Sequence, residues 1–136
     1  MEQTISKLFD TLSSAVHHND QQLAGSTIHS PCTFLRKQGN EVIHNQYDAL
    51  SSLRYLLNIR SDQPIIDVHY QLLDSKPLTS RLSLIKLNWM IQQPDQTEDL
   101  LHEGRYFVIE EQQQSKILSV IADGDMQAIG GSRAVY

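Results

Sequence analysis

Apolar residues in the second half of the chain gather into four runs set almost back to back, at residues 65–74, 81–92, 104–111 and 116–122. Each has the length of a strand, and short polar stretches rich in turn formers separate them at 75–77, 94–96 and 112–115. The pattern predicts consecutive antiparallel strands in a meander. Apolar side chains occur at both parities, so each strand carries water-averse groups on both faces. One face can pack on the chain's own helices, whereas the other needs a second cover. A curved sheet, paired with another copy, meets both demands.

The first half follows a different period. Ile5, Leu8, Phe9, Leu12, Ala15 and Val16 recur at three- and four-residue steps, which places them on one stripe of a helix beginning at Thr4. His17, His18, Asn19 and Asp20 end the stripe, and Asp20 is placed to cap a short helical turn over 21–24 before Gly25 breaks it. Pro31 opens an extended piece over 32–36, and a turn at 38–40 returns the chain through 41–44 as a small hairpin. From Asn45 onward, Tyr47, Leu50, Leu53, Leu56 and Leu57 return to helical spacing, giving a second long helix that closes after Arg60 and before Pro64.

At 136 residues the chain is one ordinary domain, with residues 1–122 as the folded unit and 123–136 as a tail of little periodicity. A net charge of −5 with scattered lysines and arginines argues against nucleic-acid binding, which relies on clustered cations to neutralise phosphates. No run approaches a membrane span, since Arg81, Lys86 and Asn88 interrupt the most apolar stretch. The lone Cys32 excludes an intrachain disulfide, and no cationic segment leads into an apolar run at the N-terminus. The expectation is a cytoplasmic protein without a cofactor.

The segment 15–23, Ala-Val-His-His-Asn-Asp-Gln-Gln-Leu, resembles the helix-ending signal of the nuclear-transport-factor-2-like superfamily, which includes the SnoaL-like polyketide cyclases and the ketosteroid isomerases. The hairpin over 31–43, the strand ending Leu87-Asn88-Trp89-Met90-Ile91 and the later Gly104-Arg105-Tyr106-Phe107-Val108-Ile109 are similar to it as well. The resemblance runs from Ile5 to Ala122 and implies an α+β cone: a curved mixed or antiparallel sheet wrapped around N-terminal helices, with a pocket in its mouth and a dimer through its outer face. It does not imply a reaction, because this fold hosts many. An isomerase site of the ketosteroid type needs a tyrosine on the first helix and a carboxylate base in the first hairpin strand. This sequence has Leu12 at the first place and Leu35 or Arg36 near the second.

Several residues could carry chemistry. Alternation puts Ile66, Val68, Tyr70 and Leu72 on one strand face, and Ile85, Leu87, Trp89 and Ile91 on the inner face of the next strand. Phe9, Phe34, Tyr70, Trp89 and Tyr106 could then line a site for a small, largely apolar ligand, the plain alternative being that they fill the core. His102, beside Glu98, Asp99 and Glu103, would have its charged form favoured and could act as an acid–base group. Asp123, at the exit of the last strand, could reach the mouth as an acid. Cys32 and His29 lie three apart, close enough for a nucleophile pair. The six histidines show no ligand spacing, so no metal is expected. On the outer face, Leu82, Leu84 and Met90, with either Tyr106 and Val108 or Phe107 and Ile109, form a patch suited to a homodimer, or to cover by the tail through Met126, Ile129 and Val135.

Two functions fit this pattern. One is a SnoaL-like protein that binds a small molecule and could perform isomerase, cyclase or dehydratase chemistry. The other is a non-catalytic homodimeric interaction or carrier module whose cone is filled by its own side chains.

Overall fold

A computed structural model describes residues 2–36, 39–45, 48–57, 67–92 and 94–122 of the chain. The first helix, α1, spans Glu2–His18 and begins two residues before the expected start. Its stripe of Ile5, Leu8, Phe9, Leu12, Ala15 and Val16 is buried throughout. Asn19 ends it in the left-handed region at φ 57°. The amide of Asp20 then bonds the Ala15 carbonyl at 2.9 Å and that of Asn19 bonds Val16 at 3.4 Å, the paired closure that satisfies the last free carbonyls of a helix. The Asp20 carboxylate in turn accepts from the Leu23 amide at 3.0 Å and caps α2, Gln21–Gly25. The corner is sharp because one helix stops and the next starts at adjacent residues, both read correctly from the sequence.

The strands β1 (Ile28–Arg36) and β2 (Gly39–Ile43) form the expected hairpin, in register from Cys32↔Ile43 to Arg36↔Gly39. The helix α3 spans Ala49–Leu56 and buries Leu50 and Leu53; Tyr47, Arg60 and Pro64 lie outside the described residues. The meander follows as β3 (Asp67–Pro77), β4 (Leu82–Gln92), β5 (Glu98–Glu111) and β6 (Gln114–Ala122). The six strands make one curved, unclosed sheet in the order β2-β1-β6-β5-β4-β3, with β1 and β6 parallel and every other pair antiparallel. Register shifts leave Leu73, Leu101 and Leu118 as extra residues, and bulges of this kind bend a sheet. Bent in this way, the sheet curves round the helices as the α+β cone.

One face is dry. Along β4, Ser83, Ile85, Leu87, Trp89 and Ile91 are all buried, alternating with partly exposed neighbours. The register sets Tyr106 opposite Ile85 and Val108 opposite Ser83, which resolves the choice left open for β5. Tyr106 and Val108 point to the core, while Phe107 and Ile109 join Leu82, Leu84 and Met90 on the outer face.

Besides α1, β1, which begins at Ile28 rather than Cys32, and α3, which begins at Ala49 rather than at Asn45, two strands differ from the expected extents. The strand β3 continues through Pro77, where a turn was expected, and β5 begins at Glu98 rather than Gly104. The reason for the second difference is the acidic run. Its outward carboxylates find partners on other strands, Glu98 at His69 at 3.3 Å and Glu103 at Lys86 at 3.6 Å, and the bulge at Leu101 interrupts the alternation that marks a strand. At the β3 edge of the sheet, the Ser13 hydroxyl of α1 donates to the Val68 carbonyl at 2.8 Å, so part of that edge is already occupied.

Candidate functional site

The inner face brings together the aromatic residues singled out in the sequence. Phe9 of α1 meets Tyr106 edge-on at 5.3 Å between centroids and Tyr70 at 5.8 Å, and Tyr70 lies 6.1 Å from Trp89. The Trp89 indole donates to the Tyr106 hydroxyl at 2.7 Å in a fully buried contact. Burial pushes the Tyr106 phenol far above its ordinary range, which the indole hydrogen bond only partly opposes. Phe9, Phe34, Trp89 and Tyr106 expose no surface at all. Tyr70 is partly exposed and donates to Asp10 at 2.8 Å; burial first, and the Asp10 carboxylate second, push its phenol up to about 12. The group packs as a core packs.

His102 stands opposite Trp89 on this face. Strand alternation carries Glu103 to the other side, where it pairs with Lys86, and Glu98 is engaged by His69, so neither of these carboxylates is a partner of His102. The expected favouring of its charged form is therefore reversed. Burial pushes the imidazole down to about 4, and its Nδ1 is enclosed with no hydrogen-bond partner. Space for the ring comes from Gly104, where an added Cβ would lie 2.8 Å from His102 Cε1 and 3.2 Å from Tyr106 Cε1. A neutral histidine on the inner face can accept or donate one proton, but among the described residues no group is hydrogen-bonded to its Nδ1.

The remaining candidates are separated. Cys32 is buried in the core with its thiol pushed up to about 12 by desolvation, while His29 turns to the Pro31 carbonyl at 3.1 Å and to Glu111 at 3.7 Å. A thiol that stays protonated and has no base is not a nucleophile. Leu12 is buried core, and Leu35 is on the outer side of β1. Arg36 is paired with Glu41 at 2.7 Å and lies over the Tyr55 ring at 5.1 Å; Ser52 of α3 donates to the same Glu41 oxygen at 3.0 Å. That cluster ties α3 to the hairpin. Asp123 and the tail residues Met126, Ile129 and Val135 lie outside the described residues.

Sequence reasoning missed one feature. Between α1 and the start of β3 runs a groove of about 540 Å³, lined by Asp10, Ser13, Ser14, His17, His18, Asp67, Val68, His69 and Tyr70. Its signals were a polar stripe at helical spacing, Asp10, Ser13, Ser14 and His17, and the alternate pair Asp67 and His69. Among the described residues, no three histidine, cysteine, aspartate or glutamate side chains are placed to hold a metal ion.

No protein-family model matches the chain, and no curated protein matches it. Solved structures do. A nuclear-transport-factor-2-like protein of unknown function from Shewanella oneidensis MR-1 superposes with a TM-score of 0.65 at 10% identity, over 88% of this chain and 96% of that one. The chain has the nuclear-transport-factor-2-like fold. A domain of unknown function with a cystatin-like fold from Nostoc punctiforme PCC 73102 gives 0.69 at 10% identity, covering 96% of this chain and 82% of the other. A ketosteroid isomerase-like protein from Erwinia carotovora atroseptica SCRI1043 gives 0.60 at 7% identity, over 87% and 91%. At such identities the likeness is one of fold.

Proposed function

We propose that the chain is a non-catalytic interaction module of the nuclear-transport-factor-2-like fold, with its cone closed by its own side chains and its outer sheet face paired with a second copy. The observation that carries this reading is the complete burial of Phe9, Phe34, Trp89 and Tyr106, with the indole N–H satisfied by the phenol oxygen. Acid–base catalysis needs a base held in place at the reacting atom, and among the described residues no group hydrogen-bonds the enclosed Nδ1 of the inner-face His102 to hold it. The outer face supports the pairing. Leu84, Met90, Phe107, Ile109 and Ile121 keep part of their surface exposed there, around the Lys86–Glu103 pair, and contiguous apolar surface of this sort marks an interface.

Sedimentation equilibrium of wild type and Phe107→Glu tests it. The wild type is expected to be a dimer and the variant a folded monomer; a monomeric wild type refutes the pairing. The small-molecule reading stands second, favoured by one observation, the unpartnered His102 Nδ1 on the inner face. Native mass spectrometry of protein from its own host discriminates, because a retained ligand would put the second reading first.

A further inference from the structure

The geometry points to His69 as a pH-sensitive clasp that fastens β3 to the start of β5 while its ring carries two protons. Its nitrogens face carboxylates on different strands. Nδ1 lies 3.0 Å from Asp67 Oδ2, two residues back on β3, and Nε2 lies 3.3 Å from Glu98 Oε2 on β5. A neutral imidazole has one N–H and one lone pair, so whichever nitrogen keeps the proton, the other would turn its lone pair on a carboxylate oxygen. Only the imidazolium presents an N–H to both. Among the described residues, Asp67 and Glu98 have no other ion-pair partner.

The strands so joined are not neighbours. β4 runs between them, with Gln92 opposite both Asp67 and Glu98 and Met90 opposite His69. The contact from His69 to Glu98 thus crosses β4 on the outer face, at the end of the ladder where β4 closes at Gln92 and β5 opens at Glu98. Deprotonation does not undo both halves alike. The shorter Nδ1 contact keeps the remaining proton toward Asp67, which leaves the Nε2 lone pair facing Glu98. The clasp therefore opens on its β5 side. Contacts made only by the charged ring stabilise the fold below the imidazole range and fade as pH rises through it. The other titratable groups on this side are Asp10, His17 and His18 of α1 and Tyr70 of β3, along the groove that His69 also lines, while β4 presents the uncharged Met90 and Gln92. Asp10 is held by the Tyr70 hydroxyl and His18 by the Ser14 carbonyl.

Two double-mutant cycles on the full chain, read by urea unfolding at about pH 5.5 and about pH 8.5, test it, one with His69→Gln and Glu98→Gln, the other with His69→Gln and Asp67→Asn. A cycle cancels the titration of groups outside its pair. All three side chains keep a third or more of their surface exposed, so the expected coupling is that of an exposed ion pair, about two- to five-fold in the unfolding constant. The His69–Glu98 coupling is expected at the lower pH and lost or reversed at the higher one, whereas the His69–Asp67 coupling is expected at both. No His69–Glu98 coupling at the lower pH, or the same coupling at both, would overturn the proposal, as would a His69–Asp67 coupling lost at the higher pH. Nitrogen NMR of the wild-type ring decides the matter even if a variant does not fold: at the higher pH the remaining proton is expected on Nδ1, and a ring protonated on Nε2 would overturn the proposal.

Discussion

Holding the largely desolvated His102 as a neutral ring, its Nδ1 enclosed, makes the fold sensitive to mild acid. Its imidazole falls from 6.5 to about 4 on folding, with desolvation as the cause. A group whose folded pKa is depressed contributes its stability above the unfolded value and loses it as pH falls toward the folded one. The unfolded chain takes up a proton near 6.5 while the native ring refuses it until about 4, so unfolding is favoured across that window. At about 1.4 kcal/mol per pH unit, the full loss is about 3 kcal/mol, of which about 2 kcal/mol is already gone at pH 5. Urea unfolding at pH 7.5 and pH 5 measures it, followed by the fluorescence of Trp89, the sole tryptophan, which pairs with His102 across the strands. Carboxylates and the other histidines also titrate, so the decisive quantity is the difference between wild type and His102→Leu. The variant should lose about 2 kcal/mol less between the two pH values. Equal losses in both proteins would refute the assignment of a desolvated, neutral imidazole.

Other substitutions test neighbouring contacts. Gly104→Ala should cost about 1–3 kcal/mol by driving a methyl group against the His102 ring, and adding His102→Ala should recover part of that loss in a double-mutant cycle of unfolding energies. Tyr106→Phe should cost about 1–3 kcal/mol, because the Trp89 indole N–H is then buried without an acceptor; thermal unfolding reads it, and a neutral result would mean another group accepts. Gln112 and Gln113 form a two-residue turn at φ 52° and 65°, and replacing them with Asn and Gly should raise stability by about 1 kcal/mol in chemical denaturation. Cys32 should resist a thiol reagent at pH 8 in the native state and react at once in urea, and rapid native labelling would show that the thiol is reachable.

What the sequence reveals is local and periodic. The α1 stripe, the Asp20 cap and the inner face of β4 are each written in residues a few positions apart, and each appears in the structure where the spacing puts it. The parallel contact of β1 with β6 pairs Phe34 with Val120, and no short-range pattern encodes such a pairing. His102 shows how a correct residue can be given the wrong surroundings. Its sequence neighbours include Glu98 and Glu103, but each is engaged by a partner on another strand, and desolvation rather than attraction sets the charge of His102. The groove was missed for a related reason: Asp10, His17, Asp67 and His69 look like solvated residues on two separate elements until α1 lies along β3.

The order of the sheet leaves β2 and β3 as open borders, and an open border can recruit strands from other molecules without limit. On β3, Ser13 holds the Val68 carbonyl, the extra Leu73 breaks the repeat, and Lys76 and Pro77 close the outer stretch with a charge and a missing N–H. Together they make β3 a poor seed for fibril growth. Ser13→Ala with deletion of Leu73 should therefore shorten the lag before fibrils form, even where the folded monomeric unit loses little stability.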